Sequence, residues 1–180
     1  MAEITFREAT PAEFDTVLVF LREAALWLRE RNINYWQDWI SPPANLVAWI
    51  KQGFDNNEFR MVEKDGATVG CFRLQWQDPV FWGKQEDNAG YIHSFTISRD
   101  LAGQGLGERV LEAIGAHCRQ EGKEFLRLDC GEAARGLRSY YERNGFRPVG
   151  TAKVKYFRSE TLKPQGCDVE EDLVLYEKRL

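Results

Sequence analysis

The sequence predicts a mixed α/β fold in which helices pack on both faces of one central sheet of about seven strands. Segments with strand and helix periodicity follow one another in the order strand–helix–helix–strand–strand–strand–helix–strand–helix–strand–strand. The pair Asp65-Gly66 stands between two strand-like segments and is typical of a tight hairpin. A loop with three glycines at alternate positions joins a strand-like segment directly to a helix-like one. The 180 residues contain no internal repeat or evident linker, so we expect a single domain over residues 1–180.

The first fifty residues predict one strand and two helices. Ile4 and Phe6 alternate with polar residues, as in a short strand. Residues 10–13, Thr-Pro-Ala-Glu, have the pattern of a capping box with proline at the first helical position. Apolar residues then recur every three or four positions to about residue 31, which indicates an amphipathic helix. The Pro-Pro pair at 42–43 interrupts the chain, and residues 44–52 have the pattern of a second, short helix.

The rest of the chain predicts six further strands and two further helices. The strands are expected at 58–63, 67–76, 91–98, 124–129, 146–154 and 172–178, and the helices at 107–120 and 135–144. Gly122 and Gly145 follow these two helices, and we expect the helices to end there because glycine commonly terminates a helix. A polar loop is expected at 77–89, and a loop with Pro164 and Gly166 joins the last two strands.

Composition and charge favour a cytoplasmic protein. Hydrophobic residues make up 43% of the chain and charged residues 29%, which is ordinary for a soluble globular protein. The net charge of −4 argues against nucleic acid as an obligatory partner, because duplex binding needs a dense basic patch. Charge among the first residues, and the lack of any run of 18 apolar residues, argue against a secretory signal and a membrane span.

The cysteine pattern favours free thiols over a metal site or disulfides. The chain has four cysteines, at Cys71, Cys118, Cys130 and Cys167. They form no C-x-x-C pair, and only His93 and His117 could join them as metal ligands. We therefore expect no bound metal. Disulfides are disfavoured because a chain of this length can hold its core without them.

The glycine loop predicts an anion-binding site. Gly103, Gly105 and Gly107 leave a stretch of backbone without side-chain cover, so that consecutive N–H groups can turn toward one anion. The N-terminus of the following helix adds the positive end of its dipole, which suits a pyrophosphate. A P-loop is excluded because no Lys-Ser/Thr follows the last glycine. A dinucleotide site, and with it an NAD(P)-dependent oxidoreductase, stays an alternative, although the spacing is G-x-G-x-G rather than G-x-G-x-x-G.

The glycine loop and residues 141–146, Tyr-Glu-Arg-Asn-Gly-Phe, together resemble the GNAT superfamily of acyl-CoA-dependent N-acetyltransferases. The family's loop is commonly R/Q-G-x-G-x-G/A, and its later signature is commonly N-x-x-A-x-x-L-Y-E-x-x-G-F. The matching residues are Gly103, Gly105, Gly107, Tyr141, Glu142, Gly145 and Phe146. The sequence departs at Ala102, where Arg or Gln is usual, and at Ala134, where Asn often lies.

The resemblance implies a mostly antiparallel sheet, acetyl-CoA as co-substrate, an amine-bearing acceptor and a possible homodimer. The pyrophosphate of coenzyme A would lie on the N–H groups of Gly103, Gln104, Gly105, Leu106, Gly107 and Glu108. The pantetheine arm would run beside the backbone of Phe95, Thr96 and Ile97, as an added strand does. A primary amine of a small molecule or peptide would then be acetylated by direct attack. A non-catalytic module that only binds coenzyme A is a further alternative.

Acetyl transfer to an amine needs a proton donor for the leaving thiolate, and Tyr141 is our candidate. It matches the recurrent tyrosine of the family, and a phenol can protonate a departing thiolate. The alternative is a tyrosine that only packs. Tyr140 is the natural control, because adjacent residues of a helix diverge by about 100°.

The same reaction needs a base, and His93 is our candidate. Its unperturbed pKa of about 6.5 suits proton abstraction at neutral pH. Strand alternation predicts that it shares a face with Phe95 and Ile97. The alternatives are a buried histidine satisfied by a backbone carbonyl, or a base supplied by Asp129, Glu132 or ordered water.

The acceptor pocket is expected in the N-terminal region, where aromatic residues concentrate and where the family usually builds it. The aromatic residues there are Trp27, Tyr35, Trp36, Trp39 and Trp49. Trp36 and Trp39 are our candidates for substrate contact, with Asp38 nearby to attract a cation. We expect Trp27 and Trp49 in the core, as large aromatic residues usually are.

Overall fold

The computed structural model describes residues 4–86, 88–157 and 168–180. The described residues form one seven-stranded sheet in the order β1-β2-β3-β4-β5-β7-β6. The strands are β1 Ile4–Glu8, β2 Phe59–Lys64, β3 Ala67–Gln75, β4 Ala89–Ile97, β5 Phe125–Gly131, β6 Arg147–Phe157 and β7 Asp168–Arg179. Every neighbouring pair is antiparallel except β4 and β5, which are parallel. The predicted mixed, mostly antiparallel sheet is confirmed; Cys167 and the loop with Pro164 and Gly166 lie outside the described residues.

Helices cover both faces of this sheet, as predicted. They are α1 Phe14–Glu30, α2 Ala44–Asp55, α3 Leu106–Gln120 and α4 Arg135–Arg143. Short 3₁₀ turns lie at Pro11–Glu13, Gln37–Ile40 and Arg99–Leu101. One core cluster packs α1 and α2 on the sheet and includes Val17, Leu21, Ile50, Met61 and Cys71. The other packs α3 and α4 on the opposite face and includes Phe72, Leu74, Val110, Ile114 and Tyr141.

Local signals in the sequence explain where the first helix and the hairpin form. The Thr10 N–H donates to the Glu13 carboxylate at 2.8 Å, so the predicted acidic residue does close the start of the helix. Asp65 and Gly66 have φ angles of 51° and 81°, both in the left-handed region that a two-residue hairpin requires. Within the described residues, no helix is both long and apolar enough to cross a membrane.

The sheet opens into a fork between its two parallel strands. The β4–β5 pairs run from Ala89↔Phe125 to Ile92↔Leu128, whereas β4 stays paired with β3 as far as Ile97. β5 stays paired with β7 as far as Gly131. The two strands are therefore held from their outer sides beyond Ile92 and Leu128, and their facing edges are left for another partner.

A β-bulge at the fork changes which way the β4 side chains face. Arg73 is opposite His93 and Cys71 is opposite Thr96, so β4 has one residue more than β3 in this interval. Ser94 takes up the extra residue with a φ of 52°. The prediction that His93 shares a face with Phe95 and Ile97 is wrong, because strict alternation fails across a bulge: the latter two pack against the α3–α4 cluster, whereas His93 contacts Trp49 of α2.

Candidate active site

The glycine loop and the first turn of α3 form an open cradle of backbone amides. Gly103 and Gly105 have φ angles of 78° and 67°, and a Cβ at either position would meet nothing within 4 Å. Gly105 is the N-cap of α3, and the Arg109 N–H donates to its carbonyl at 3.3 Å. The N–H groups from Gly105 to Glu108 precede this bond and have no acceptor within the helix by its geometry. The cradle therefore has the unpaired donors and the open space that an anion requires.

Gly107 is needed for a different reason, because Tyr140 of α4 reaches the start of α3. A Cβ at Gly107 would collide with the Tyr140 hydroxyl. Tyr140 is half-buried, and burial together with the charge of Glu108 raises its pKa to about 12. Its hydroxyl stays protonated at neutral pH and lies beside the cradle.

Tyr141 lies in the core between α4 and the sheet and is only 6% exposed. Its ring centroid is 5.8 Å from that of Phe146 and 6.2 Å from that of Tyr176. Burial raises the pKa of Tyr141 well above its ordinary value, and Cys130 and Tyr140 add to the rise. The hydroxyl is thus kept as a proton donor, and its transfer to the leaving thiolate stays a prediction.

Glu142 anchors α4, and with it both tyrosines, to the sheet. The Tyr176 hydroxyl donates to Glu142 Oε1 at 2.8 Å and accepts a hydrogen bond from Arg138 Nε at 3.1 Å. Tyr176 is fully buried on β7. The glutamate of the Tyr-Glu pair therefore has a structural partner, which its place in the sequence did not indicate.

His93 and Asp129 stand at the apex of the fork, one position beyond the last β4–β5 pair. His93 Nε2 lies 2.9 Å from Asp78 Oδ2, and His93 Nδ1 lies 3.6 Å from Asp129 Oδ2. All three side chains are at least nine-tenths buried. The Trp49 ring stands perpendicular to the imidazole at 5.8 Å, and the Phe81 ring lies 4.9 Å away.

The chain matches known acetyltransferases over most of its length. The model of the acetyltransferase (GNAT) family matches residues 21–146. The chain belongs to the GNAT acetyltransferase family. It is 28% identical over 157 residues to the Bacillus subtilis (strain 168) protein named uncharacterized N-acetyltransferase YesJ, covering 82% of this chain and 86% of that one. It is 25% identical over 154 residues to aminoglycoside N(6')-acetyltransferase type 1 of Stenotrophomonas maltophilia, covering 86% and 92%.

Solved structures of GNAT acetyltransferases share the fold of this enzyme over nearly the whole chain. A GNAT acetyltransferase from Listeria monocytogenes 4b F2365 has a TM-score of 0.72 at 24% identity, covering 98% of this chain and 95% of that one. One from Elizabethkingia anophelis, described with acetyl-CoA bound, has a TM-score of 0.63 at 17% identity, covering 98% of each. The predicted family and its sheet are thus confirmed.

At the fork of this GNAT enzyme, the pKa values of His93 and Asp129 are both raised, but for different physical reasons. Burial lowers the pKa of His93, but the hydrogen bond to Asp78 and the charge of Asp129 outweigh it, and the net shift is upward. Burial raises the pKa of Asp129 to about 6; His93 opposes this rise, and Asp78 and Glu171 add to it. The pKa of the Asp129 carboxyl group therefore lies closer to neutral pH than usual, while the upward shift at His93 favours the charged form of its imidazole.

Besides Trp49, the N-terminal region contributes Tyr35 next to the fork, a residue that the sequence did not indicate for substrate contact. A Cβ at Gly131 would lie 2.8 Å from Tyr35 Cε2 and 3.0 Å from Glu171 Oε1, so both side chains lie over the end of β5. Burial raises the pKa of Tyr35 well above its ordinary value, and Asp129 and Glu171 add to the rise. The Trp36 ring stacks on Tyr35 at 5.8 Å.

The other aromatic residues divide between core and surface. Trp39 is 8% exposed and belongs to the α1–α2 core cluster, so burial favours Trp36 over Trp39 as an acceptor contact. Trp49 packs on the same cluster and under His93. Trp27 is half-buried between the guanidinium groups of Arg31 and Arg99, so the core position expected for it is not found.

The remaining candidates from the sequence are placed as follows. The His117 ring packs between Phe6 and Trp76, with ring centroids 5.5 and 6.1 Å apart. This packing agrees with the expectation that it is not part of the site. The Glu132 side chain is exposed, whereas Asp129 is buried at the apex. Asp78 was missed, because a residue before a proline in a polar loop is typical of a turn and nothing local indicates a bond to His93.

Asp78, His93 and Asp129 are also the residues with the best placement for a metal ion. One donor atom from each lies within 4.8 Å of the others in the described part of the chain. However, the two ring nitrogens of His93 face different carboxylates, Nε2 toward Asp78 and Nδ1 toward Asp129. An ion on either side of the ring would therefore have one imidazole nitrogen and the carboxylate that it faces as protein ligands, whereas a structural zinc site has four.

Proposed function

We propose that this enzyme transfers the acetyl group of acetyl-CoA to a primary amine of a small molecule or peptide by direct attack. The observation that carries the proposal is the open amide cradle at the N-terminus of α3, next to a fork that presents ionisable groups on the opposite face of the sheet. The acetyl-CoA-bound structural neighbour supports the choice of co-substrate.

Coenzyme A would occupy the α3 side of the fork. Its pyrophosphate would accept from the N–H groups of residues 103–108, where no Cβ covers Gly103 or Gly105. Its pantetheine arm would pair with Phe95, Thr96 and Ile97, whose edge toward β5 lies beyond the last β4–β5 pair. The Thr96 hydroxyl is hydrogen-bonded with Cys71 Sγ at 3.2 Å, so the contact of Thr96 with the pantetheine arm would be made by its backbone.

The amine must lose a proton during the reaction. An alkylamine with a pKa of about 10.4 is neutral to only about one part in 2,500 at pH 7, a deficit of roughly 4.6 kcal/mol. A base at the fork offsets part of it, and the His93–Asp129 pair is the ionisable group placed there. Tyr141 is the proposed donor to the departing thiolate.

Direct attack is favoured over an acetyl-cysteine intermediate. Cys130 directly follows Asp129 on β5, and burial raises the pKa of its thiol to about 12, with the charge of Asp129 adding to the rise. A buried thiol with such a pKa is a poor nucleophile at neutral pH. The acetyl group would therefore pass from sulfur to nitrogen in one transfer.

The acceptor would enter from the α1–α2 side, where Tyr35, Trp36 and Glu171 meet the end of β5. Aromatic faces and carboxylates together suit a cationic amine. The aminoglycoside acetyltransferase relative adds aminoglycosides to the acceptors worth testing. A homodimer stays a prediction.

Ligand stabilisation followed by thiol release tests the proposal. We expect acetyl-CoA and coenzyme A to raise Tm while NADH and ATP do not, because only the former fit a G-x-G-x-G cradle beside the fork. Free thiol should then appear from acetyl-CoA with at least one member of a panel of polyamines, aminoglycosides, amino acids and peptides. Stabilisation by NADH alone would restore the oxidoreductase alternative. Stabilisation by coenzyme A without thiol release from any amine would restore the non-catalytic one.

A further inference from the structure

We propose that Asp129 is the group that accepts the proton of the attacking amine, and that His93, held by Asp78, is a positioning residue that places a positive charge beside it. The inference rests on the proposed acetyl transfer and assigns the base within that reaction. It replaces His93, the candidate base from the sequence, with Asp129, which the sequence left as an alternative.

The first observation is a buried carboxylate oxygen without a hydrogen bond. Asp129 Oδ2 is inaccessible to solvent and accepts no hydrogen bond from any residue that the structure describes. The side chain is 9% exposed and lies one residue beyond the last β4–β5 pair. Buried polar atoms are nearly always hydrogen-bonded, so this oxygen lacks a partner that an incoming amine N–H would supply.

The second observation is that both ring nitrogens of His93 face carboxylates. Nε2 is bonded to Asp78 at 2.9 Å, and Nδ1 lies 3.6 Å from Asp129 Oδ2. A neutral ring that donates to Asp78 would turn its Nδ1 lone pair toward the lone pairs of Asp129, which is repulsive. The imidazolium form carries an N–H on each side: Nε2 donates to Asp78 at 2.9 Å, and Nδ1 faces Asp129 Oδ2 at 3.6 Å, beyond hydrogen-bond distance, so that its charge acts on Asp129 while Oδ2 keeps no donor. In that form His93 has no lone pair with which to accept a proton.

The charges around Asp129 come from four other elements. His93 of β4 contributes a positive charge; Asp78 of the β3–β4 loop and Glu171 of β7 contribute negative ones. Tyr35, which precedes the Gln37–Ile40 turn, is neutral since its pKa is raised by burial. Further out, Arg73 of β3 acts on His93 and is itself paired with Glu58 at 2.6 Å. Three carboxylates against one imidazolium leave the pocket negative, which attracts an ammonium.

The proposed step conserves atoms and charge. The amine nitrogen attacks the thioester carbonyl, a C–N bond forms, and one N–H proton passes to Asp129 Oδ2. The C–S bond then breaks with its electron pair on sulfur, which takes a proton either from solvent or from Tyr141, and in the second case the Tyr141 phenolate regains a proton from solvent. Asp129 returns its proton to solvent, so the net change is thioester plus amine to amide plus thiol.

The pH dependence of kcat/KM in five proteins, the wild type and four variants, tests the assignment. The wild type should lose activity below about pH 6, the value to which burial raises the pKa of Asp129. Asp129→Asn should lower kcat about 100-fold or more and remove this acid limb. His93→Gln should keep the limb but move it upward by about one pH unit, because Asp129 loses the stabilising imidazolium. Asp78→Asn should also keep the limb but move it less, because the change weakens the imidazolium and at the same time removes a carboxylate whose charge raises the pKa of Asp129. Asp55→Asn, at an exposed carboxylate of α2, is the matched control and should leave the profile unchanged.

The opposite pattern would overturn the inference. If His93→Gln removed the acid limb while Asp129→Asn only moved it downward, His93 would be the base. If Asp129→Asn released thiol at the wild-type rate, the assignment would fail while acetyl transfer stood. If the wild type released no thiol with any amine, the proposed function itself would fail. Retained stabilisation of each variant by coenzyme A shows that it is folded.

A spectroscopic readout separates positioning from simple packing. The chain has two histidines, so ¹⁵N NMR of the imidazoles gives two titrations, and His93→Gln identifies one of them. We expect His93 to stay protonated to higher pH than a free histidine, and Asp78→Asn to lower its pKa by about one unit. An unshifted His93 titration in Asp78→Asn would contradict a charge held in place by Asp78.

Discussion

On α4, two adjacent tyrosines have different surroundings because they point in different directions from the helix. Tyr141 packs in the core beneath the helix, whereas the Tyr140 hydroxyl lies against Gly107 at the start of α3. Both phenols stay protonated at neutral pH because burial raises their pKa values. The pair therefore offers one candidate for the reaction and one contact with the amide cradle.

Tyr141→Phe should lower kcat by about 10- to 100-fold and leave the affinity for coenzyme A nearly intact. The change removes a proton donor but keeps the ring that fills the core. Steady-state kinetics and a binding titration measure the two effects, with Tyr140→Phe as the adjacent control. A large loss of coenzyme A affinity with normal turnover would reverse the assignment.

Gly107→Ala should weaken coenzyme A binding, because the clash between its Cβ and the Tyr140 hydroxyl would shift the first turn of α3 and with it the amides of the cradle. The double variant with Tyr140→Phe should recover part of the affinity, since the clashing oxygen is gone. Gly136→Ala is the matched control: Gly136 is likewise the second residue of a helix, and a Cβ there meets nothing within 4 Å. That change should stabilise the protein by up to about 1 kcal/mol. Equal effects of the two alanine changes on binding would contradict the close approach at Gly107.

At the scale of elements, the β4 bulge positions the side chains on one side of the candidate site, and the glycine loop positions the backbone amides on the other. The extra residue at Ser94 turns His93 toward α2 while Phe95 and Ile97 face α3. The parting of β4 from β5 leaves backbone edges free at the same level. A strand that alternated strictly would have placed the imidazole on the α3 side, where we propose that coenzyme A binds.

Gly105→Glu should raise the KM for acetyl-CoA by about 100-fold or more. The new side chain brings bulk and negative charge to a position proposed to hold a pyrophosphate, and the φ of 67° adds backbone strain. Gly66→Glu shares the strain, with a φ of 81° and open space around it, but lies in the β2–β3 hairpin. Both variants should lose stability, and only Gly105→Glu should lose coenzyme A binding. Equal binding by the two would argue against the cradle.

At the scale of the whole molecule, the sheet separates two packed layers, and the fork joins them. The α1–α2 cluster and the α3–α4 cluster lie on opposite faces, so an acceptor and a thioester can approach the same gap from different sides. Asp129 is buried where these layers meet, and its ionised form costs stability there.

Asp129→Asn should therefore stabilise the fold at neutral pH. The folded-state pKa of about 6 lies above the unfolded value of 3.8, so the native state binds more protons between them, and stability falls as pH rises through that window. The variant has no carboxylate to ionise at this position, so it avoids this loss and should gain up to about 3 kcal/mol well above pH 6. Denaturant unfolding at pH 4 and pH 7.5 checks it: the gain should be small at pH 4. A loss of stability at both pH values would show that Asp129 is stabilised by contacts other than its charge environment.

The sequence alone determined the order of strands and helices, the hairpin at Asp65-Gly66, the glycine cradle and the family. These features depend on periodicity, on turn residues with positive φ and on two short motifs, all of which act over a few residues. Only the tertiary structure decided the partners at the fork. Asp78 meets His93, and Tyr35 meets the end of β5, across contacts between distant segments that no local pattern encodes. The face of His93 also had to await the structure, since a bulge arises from how β4 pairs with β3 and not from β4 by itself.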